Sequence, residues 1–341
     1  MPTRFGGADL GPGVLIRVIA ILAAADPSLA QIPHSHFVFL DALGRSGSIT
    51  LQENIFGRVL GGARLANAQT ERGTASVRDN ATRLTRTADG LRLTGTKYYC
   101  TGTLGADILA VRAAADDGGT IVAYVDATAP GVTVHDDWNG FGQRTTGSGT
   151  VTFDKVPVTD DHLLDFDALT ATPSTYGTRA QLLHAAIDTG LARGALEAAA
   201  GAGSRARPWF ESGATRAVDD PLLLLQAGDL ELAVRAAESL LSTAAERIDS
   251  ADDQPEPAAS AIAEAALATA AAKVAAGRAA RRAGSELFDF GGTRSAAEPA
   301  NLSRFWRDAR THTLHDPERW KLYHLGRWAL DQQPPPSHGS L

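Results

Sequence analysis

Hydrophobic positions near the start of the chain recur with the spacing of an α-helix. Apolar residues at positions 14, 15, 18, 19 and 22 fall on one helical face. The tripeptide Asp26-Pro27-Ser28 interrupts this pattern and offers a capping side chain to a following helix. We therefore predict that residues 10–65 are helical, with a break at Asp26.

Between residues 69 and 164 the pattern changes to short β-type runs separated by turn residues. The runs at 83–87 and 91–94 flank Asp89-Gly90, a dipeptide typical of a tight hairpin turn. Further runs follow, and Pro130-Gly131 and Val156-Pro157 mark turns or strand ends. This region is predicted to form a mostly antiparallel β domain.

The last region, residues 173–328, is rich in alanine and predicted to be helical. Residues 182–202, 221–248 and 258–288 are each long enough for a helix of a bundle, and a polar break separates the last two. Alternating βαβ units are absent from the pattern, which argues against a Rossmann core. We expect an N-terminal helical domain at 1–66, a middle β domain at 67–166, a helical bundle at 167–330 and a disordered tail at 331–341.

The composition of the chain limits which binding partners and which cellular compartment are expected for the protein. The chain has 341 residues, 44% of them hydrophobic, and a formal net charge of −7, so charge gives no argument for nucleic acid or an anionic membrane. The single cysteine, Cys100, excludes an internal disulfide and fits a reducing, cytoplasmic setting. The first residues do not read as a signal peptide, and the apolar stretch 14–25 is too short to span a bilayer.

Several motifs resemble known binding signatures without fitting them. The run 140–145 begins like a dinucleotide-binding fingerprint, but it lacks the third glycine and precedes a strand where a helix is needed. No phosphate-binding loop and no serine nucleophile elbow is present in the sequence. The pairs His34-x-His36 and His312-x-x-His315 are each compatible with two metal ligands, but acid–base or hydrogen-bonding roles are favoured and no metal is expected.

Three segments combine chemistry-bearing residues. Residues 305–317 bring arginines, two histidines and Asp316 together before Pro317; a helix end explains the arginines and the proline, but not the histidines with the aspartate. Residues 95–102 and 136–149 are rich in glycine and hydroxyl groups and include Trp138. Such loops suit the edge of a planar heterocycle, and a surface hairpin with a half-buried tryptophan explains them equally well.

These three segments, in this order, resemble the acyl-CoA dehydrogenase superfamily over nearly the whole chain. The resemblance implies an α+β multidomain fold with N-terminal helices, a middle antiparallel β-barrel domain and a C-terminal four-helix bundle. The N-terminal domain of that family is longer, so we expect it to be shortened here. Members of the superfamily commonly form homotetramers, so the resemblance implies a homotetramer here.

Within the superfamily, the chain is most similar to the dibenzothiophene (sulfide) monooxygenases. The likeness rests on residues 98–102, Asp136-Asp137-Trp138, residues 206–209 and above all residues 310–317. Dehydrogenases carry their catalytic glutamate in the region where this chain has His315-Asp316, and no glutamate stands between Glu298 and Glu318. An acyl thioester then has no obvious base for proton abstraction there.

The resemblance implies a two-component, flavin-dependent monooxygenase. Reduced FMN, rather than FAD, arrives from a separate NAD(P)H-dependent flavin reductase, reacts with O2 to a C4a-hydroperoxide, and oxygenates a small organic substrate at sulfur, as in sulfur metabolism and desulfurization. Three alternatives stay open. They are an FAD-containing acyl-CoA dehydrogenase with its base on another helix, an N-oxygenase of an amine, and a non-catalytic protein of the same fold.

The resemblance also implies roles for individual residues. His315, oriented by Asp316, is expected to hydrogen-bond or protonate the peroxide, and His36 to lie in the substrate pocket. The residues expected to contact the flavin are Tyr99, Thr101, Trp138 and Ser148. Thr101 is also a candidate catalytic residue at the ring edge near N5, and Ser148 is expected near the phosphate or the ribityl chain. The residues expected near its phosphate are Arg207, Arg294, Gly291 and Gly292, with Arg207 acting on the flavin of a neighbouring subunit.

Overall fold

The structure is a computed structural model that describes residues 1–76, 79–254, 257–336 and 341. In this part of the chain there are two compact units. The first comprises residues 1–10, 31–139 and 144–176, and the second comprises residues 11–30, 140–143 and 177–341. The predicted four-part division stays a prediction, and residues 337–340 of the predicted disordered tail lie outside the described residues.

Helices dominate both ends of the sequence and strands its middle, as predicted. The helices are α1 Pro12–Ala25, α2 Pro27–Gln31, α3 His34–Ser46, α4 Ile49–Leu60, α5 Phe166–Ala171, α6 Tyr176–Gly203, α7 Pro221–Asp252, α8 Ala259–Gly291, α9 Ser303–His312 and α10 Glu318–Asp331. The strands are β1 Leu65–Ala68, β2 Arg83–Thr87, β3 Gly90–Cys100, β4 Ile108–Ala115, β5 Thr120–Asp126, β6 Val132–Val134, β7 Gly149–Val158 and β8 Leu163–Asp165.

The strands of the first unit form one sheet in the order β6-β7-β3-β2-β4-β5-β8, and β1 pairs with β4 off this path. Most pairs are antiparallel, and β1 and β2 run parallel to β4. The predicted hairpin at Asp89-Gly90 joins β2 to β3, with Gly90 at φ 104°. One face of the sheet buries a cluster that includes Leu93 and Phe153, and the other packs on the helices through Phe39 and Phe56.

The second unit is a bundle of long helices with alanine-rich contacts. The predicted helices at 182–202, 221–248 and 258–288 are confirmed as α6, α7 and α8, each somewhat longer than predicted. Glycine allows one very close approach, because a Cβ on Gly190 of α6 would lie 2.2 Å from the carbonyl oxygen of Ala20 in α1. At the end of α1, the carboxylate of Asp26 accepts the backbone N–H of Ser28 at 2.8 Å, as the predicted break requires.

Helix α8 contains the one stretch in the described residues that is long and apolar enough to cross a membrane, with a mean hydropathy of 1.3. In that stretch 61% of the residues are buried inside the protein. Its buried side is made mostly of alanines that pack on α6, α7 and α9. A core helix of a bundle has this same character, so length and composition alone do not assign α8 to a membrane.

Candidate active site

Helix α9 ends at His312, and the turn that follows it carries His315 and Asp316. This end of α9 lies against α6, where His184 and Asp188 are spaced by one helical turn and therefore share a face. Both α6 residues and His312 are at most 3% exposed. Burial of three ionisable groups in an alanine-rich bundle is costly unless they bond to one another.

The buried groups do bond to one another in sequence. Nδ1 of His312 lies 2.6 Å from Oδ1 of Asp188, and its Nε2 lies 3.0 Å from Nδ1 of His184. The ring of His184 stacks on the ring of His315, with centroids 3.9 Å apart and planes tilted by 38°. These contacts form a continuous series from Asp188 through the imidazoles of His312, His184 and His315.

His315 and Asp316, which were predicted to act together, are in contact through their side chains. Nδ1 of His315 lies 3.3 Å from Oδ2 of Asp316. The same carboxylate accepts hydrogen bonds from Nζ of Lys273 at 2.5 Å and from Nζ of Lys321 at 3.0 Å. Lys273 also donates to the side chain of Gln181. Asp316 is therefore a shared acceptor for two lysines and the histidine.

The surroundings shift the protonation of this cluster. Burial raises the pKa of Asp316, but the bond with His315 and the charges of Lys273 and Lys321 outweigh it and hold the pKa well below its usual range. Burial lowers the pKa of Lys273 to about 8, against the opposing attraction of Asp316. Packing lowers the pKa of His315 as well, although 48% of its side chain reaches the surface of the chain. The cluster thus combines a carboxylate held in its anionic form with two lysines and an imidazole whose neutral form is favoured by burial.

A small polar pocket opens beside this cluster in the second unit. Asp188, Lys273, Asp316 and Lys321 line its inner part, and Arg281 and Glu318 line it together with Thr313 and Gly277. The two outer charged side chains are partly exposed, at 30% for Arg281 and 24% for Glu318. The pocket therefore borders Asp188, Lys273 and Asp316 with polar and charged groups.

The loop at 140–143 contacts α9 and explains its glycines without a nucleotide. The backbone N–H of Gln143 donates to Oδ1 of Asp308 at 2.5 Å. A Cβ on Gly142 would lie 2.1 Å from the carbonyl oxygen of Arg307, so only glycine fits there. The partial dinucleotide fingerprint is a helix-contacting loop, in agreement with its rejection from sequence.

In the first unit, three hydroxyl groups meet where β3 ends. Oγ of Ser148 lies 2.7 Å from Oγ1 of Thr101 and 2.7 Å from Oγ1 of Thr146. Gly102, at φ 79°, turns the chain, and its N–H donates to the carbonyl of Thr146 at 3.0 Å. The structure thus brings Thr101 and Ser148, predicted from separate segments, into direct contact.

Aromatic rings lie on the same turn. Tyr99 has a positive φ of 56° and meets Trp138 edge-to-face, with ring centroids 6.3 Å apart. The guanidinium of Arg72 lies 4.7 Å from the centroid of the Tyr99 ring. The loop with Trp138 is anchored by Asp137, whose carboxylate accepts from the N–H and the hydroxyl of Thr150, each at 2.7 Å. Tyr99 is 48% exposed, so this aromatic pair is available to a ligand within the unit.

His36, in α3, is fixed in one neutral form. Its Nδ1 accepts the backbone N–H of Leu65 at 3.1 Å, so the ring proton resides on Nε2. Burial lowers the pKa of His36 further. His36 is therefore suited to donate a hydrogen bond from Nε2 and poorly suited to accept a proton at Nδ1.

The predicted phosphate-binding residues all lie in the second unit. Arg207 is exposed, in a segment where Trp209 and Phe210 are 61% and 79% exposed. Arg294 is exposed too, and its Nη1 donates to the carbonyl of Arg205 at 3.3 Å. Gly291 is buried at the end of α8, and Gly292 follows it with φ 59°. Within the described residues no group of three or more His, Cys, Asp or Glu is placed to hold a metal ion.

Sequence reasoning did not single out four members of the cluster: His184, Asp188, Lys273 and Lys321. One signal was present for the first three. His184 and Asp188 stand on one face of an otherwise apolar helix, and Lys273 interrupts a run of alanines. Charged residues at such positions are rarely buried without a partner.

Comparison with known proteins assigns this architecture. The profile described as "Acyl-CoA dehydrogenase, middle domain" matches residues 66–156, and "Acyl-CoA dehydrogenase, C-terminal domain" matches residues 182–317. Together with the helix, sheet and bundle order, these matches define a protein with the acyl-CoA dehydrogenase fold. The predicted fold class is confirmed.

Individual relatives define the group more narrowly. The chain is 30% identical to a dibenzothiophene monooxygenase of Rhodococcus erythropolis, over 98% of this chain and 84% of that protein. It is similar to the structure of TdsC from Paenibacillus sp. A11-2 with FMN and indole, with 30% identity, a TM-score of 0.93 and coverage of 99% and 88%. It is also similar to methanesulfinate monooxygenase MsuC from Pseudomonas fluorescens, with 30% identity, a TM-score of 0.91 and coverage of 100% and 88%. The chain therefore belongs to the acyl-CoA dehydrogenase superfamily, in the group of flavin-dependent monooxygenases that contains the dibenzothiophene monooxygenases.

Proposed function

We propose that this protein is a two-component monooxygenase that uses reduced FMN and O2 to oxygenate a small organic sulfur compound. The reduced flavin would come from a separate NAD(P)H-dependent reductase, because the sequence carries no nicotinamide-binding fingerprint. The names of its relatives support the substrate class, since dibenzothiophene and methanesulfinate are both sulfur compounds. A cytoplasmic location, as expected from the single cysteine, is part of this proposal.

One observation carries the choice of a monooxygenase over a dehydrogenase: the His315–Asp316 pair. A dehydrogenase whose base follows α9 needs a carboxylate there that is available to take up a proton. Asp316 is held as an anion by Lys273 and Lys321, and its pKa is far too low for it to take up a proton. The next acid, Glu318, is bonded to Arg278 at 2.8 Å and Arg281 at 2.7 Å.

The polar groups of the first unit fit a flavin ring. An isoalloxazine edge offers both hydrogen-bond donors and acceptors, and the hydroxyls of Thr101 and Ser148 can serve as either. The side-chain oxygens of Gln31 and Asn67 are buried and have no hydrogen-bond partner among the described residues. Both are chain neighbours of residues that pack on Gly102, namely Ile32 and Ala66. Orphaned acceptors of this kind suit the N–H groups of a bound ring.

The remaining contacts proposed for the cofactor are aromatic and ionic. Tyr99 and Trp138 would pack on the ring system. Arg294 and the glycines at 291 and 292 would bind the phosphate through a guanidinium and backbone N–H groups. Arg207 would act on the flavin of a neighbouring subunit, since its segment projects Trp209 and Phe210 into solvent. A homotetramer is the assembly proposed for this exchange.

When bound, reduced FMN supplies the electrons and the activated oxygen for the reaction. The protein's part is to control one proton. Nδ1 of His315 is bonded to the carboxylate of Asp316, so Nδ1 carries the ring proton and Nε2 is the nitrogen that exchanges a proton with bound reactants. The clamp of Lys273 and Lys321 fixes Asp316, and through it the tautomer and orientation of His315. His36 donates a hydrogen bond from Nε2 to the substrate.

Isotope transfer tests this function. The protein, supplied with FMN, NADH and a purified flavin reductase under ¹⁸O2, is incubated with dibenzothiophene or with methanesulfinate. The proposal predicts one ¹⁸O atom per oxygenation in the product, and a loss of about 10²-fold or more for His315→Gln. Reduction of an electron-acceptor dye by butyryl-CoA, with tightly bound FAD, would instead establish the dehydrogenase. Transfer of ¹⁸O only to an amine probe would establish the N-oxygenase.

A further inference from the structure

Three imidazoles of the second unit form a row between two carboxylates. The order of contact is Asp188, His312, His184, His315 and Asp316, with hydrogen bonds at 2.6 Å and 3.0 Å in the first half and a ring stack at 3.9 Å in the middle. The function proposed above uses only the last two members. Packing alone gives no reason for two buried histidines and an aspartate in an alanine-rich bundle, where apolar side chains would fill the same space.

The first half of the row can hold an additional proton. The contact between His312 Nε2 and His184 Nδ1 contains one proton at a time, and either nitrogen can be its donor. When this pair is neutral, His184 donates to His312, and His312 donates from Nδ1 to Asp188. When the pair gains a proton, Asp188 at 2.6 Å stabilises the positive charge.

A proton on this pair opposes a proton on His315. The ring centroids of His184 and His315 are 3.9 Å apart, and two imidazolium charges at that distance repel, because His184 is buried and solvent screens its charge poorly. The charged and titratable groups around His315 come from every element that packs on it, namely His184 and Asp188 of α6, Lys273 of α8, His312 of α9, Asp316 of the turn and Lys321 of α10. Asp316 is bonded to both lysines and to His315, so the imidazoles of His184 and His312 are the groups left to exchange a proton next to His315.

We propose that Asp188, His312 and His184 form a proton-sharing row that controls whether His315 holds its proton, with the adjacent polar pocket as the row's route to solvent. The pocket is lined by Asp188, Lys273 and Asp316, and by the partly exposed Arg281 and Glu318. His184, His312 and Asp188 are therefore positioning residues for His315. This role rests on the proposed function, because His315 acts only in that reaction.

The proton balance of the reaction shows why a group that lends and recovers a proton is needed. In sum, reduced FMN, dioxygen and an organic sulfide give oxidised FMN, a sulfoxide and water. One oxygen atom bonds to sulfur, and the other takes the two hydrogens of the reduced flavin and leaves as water. Sulfur and flavin each give up two electrons, and no net proton is consumed. A proton must nevertheless move to the departing oxygen, so a group that can lend one and take it back is required.

Histidine titration in the flavin-free protein tests the row without any turnover. The protein is labelled with ¹³Cε1-histidine, and the resonances of the three imidazoles are assigned with single His→Gln variants. We expect coupled titrations, in which the shifts of His184 and His312 change within the same pH range as that of His315 and none follows a single independent step. Three independent one-step titrations would overturn the proposal. The titration is followed in the unaltered protein, and the variants serve only to assign its resonances.

Asp188→Asn sharpens the test through the direction of the shift. If the row shares a proton, loss of Asp188 leaves the His184–His312 pair neutral, the positive neighbour of His315 disappears, and the pKa of His315 rises by about one unit or more. If the row is only structural, the variant removes a nearby negative charge, and the pKa of His315 stays unchanged or falls. Thr189→Val, which removes the bond of Thr189 to the carbonyl of Ala185 on the same helix, is the matched control.

The two proposals fail separately. A coupled titration with no oxygen transfer to any sulfur probe would sink the proposed function and leave the row intact. Oxygen transfer with independent titrations would do the reverse. In an active protein, the expected consequence of Asp188→Asn is a shift of the pH profile of kcat in the same direction as the pKa of His315, with KM unchanged.

Discussion

Lys97 in the first unit and Lys273 in the second are both buried lysines with a carboxylate oxygen 2.5 Å from Nζ. Lys97 is fully enclosed in the β domain, where Nζ also donates to the carbonyl of Gln69 at 3.1 Å. Its partner Glu71 accepts the backbone N–H groups of Ala81 at 2.6 Å and Thr82 at 2.9 Å. Both side chains of this pair also bond to backbone groups, so the ion pair holds the segment with Ala81 and Thr82 in place.

Lys273 differs from Lys97 because other side chains also bond to its partner carboxylate, that of Asp316. Asp316 is also bonded to Lys321 and to His315, whose side chain is 48% exposed, and a polar pocket lies beside the cluster. Burial raises the pKa of Glu71, but the bonds from Lys97 and the backbone outweigh it and lower the pKa to about 2. The same balance applies to Asp316, yet there it orients an imidazole. Backbone groups complete the buried pair of Lys97 and Glu71, whereas an accessible imidazole completes that of Lys273 and Asp316; this difference is why the second pair is the one proposed to take part in chemistry.

The largest effect should come from Asp316→Asn. The change leaves Lys273 and Lys321 without their anion and leaves His315 without its orienting partner. We expect a loss of about 3–5 kcal/mol in the free energy of unfolding, together with a loss of turnover, because a buried charge remains unpaired. Urea denaturation measures the first and the ¹⁸O assay the second.

The control for this variant is Asp331→Asn, which removes an exposed partner of Arg327. It should change stability by no more than about 1 kcal/mol. A fall in stability for Asp316→Asn with full activity would show that the clamp is structural, like the pair in the β domain.

Lys97→Met should destabilise by about 3 kcal/mol, because it leaves Glu71 buried without its cation. Activity per folded molecule should be unchanged, in contrast with the change at Asp316. Urea denaturation of the variant is compared with that of Lys155→Met, a change at an exposed lysine. The double variant Lys97→Met/Glu71→Met should recover most of the loss, and failure to recover would mean that the pair does more than neutralise itself.

The pH dependence of stability should single out Lys273. Its pKa is about 8 in the folded protein against an ordinary value of 10.5, so the unfolded chain binds this proton more tightly between those values. Stability should therefore rise with pH across that window, by on the order of 1–3 kcal/mol relative to Lys273→Met. Urea denaturation of both proteins measures the difference. A difference that is flat or falls with pH would place the lysine in a wetter setting than the structure shows.

The smallest effect is expected at the hydroxyl cluster of the first unit. Thr101→Val removes a hydrogen-bonding group from the proposed flavin edge and should weaken FMN binding by about 1 kcal/mol, roughly fivefold in Kd. Quenching of flavin fluorescence measures this. Thr103→Val is the matched control, since its hydroxyl, two residues further along the chain, donates to the carbonyl of Cys100. Equal effects from both variants would remove Thr101 from the flavin site.

Local patterns predicted the elements well. The break at Asp26, the hairpin at Asp89-Gly90 and the three long alanine-rich helices follow from capping, turn chemistry and periodicity, which act over a few residues. Helix α7 extends further than predicted. It continues through Ser250 to Asp252, into the segment that was predicted to be a polar break. Charged residues at a helix end do not by themselves stop the helix.

The buried cluster at the end of α9 was predictable only where its residues are neighbours in sequence. His315-Asp316 was identified because the two stand side by side, and the structure joins their side chains. His184 reaches His312 across 128 residues, and Lys273 reaches Asp316 across 43, through helix packing that no local pattern encodes. His36 shows the converse: sequence named the residue, but only the bond from Leu65 fixes its tautomer.

Reoxidation of reduced FMN tests most directly whether His315, held by Asp316, controls the proton of an oxygenation reaction. The protein is loaded anaerobically with reduced FMN, mixed with oxygenated buffer and followed by the absorbance of oxidised FMN and by peroxide release. We expect a lag before oxidised FMN forms, with little peroxide, and we expect His315→Ala to shorten this lag by at least about tenfold while peroxide is released. Immediate reoxidation in the unaltered protein, or the same lag in both proteins, would contradict this role of His315.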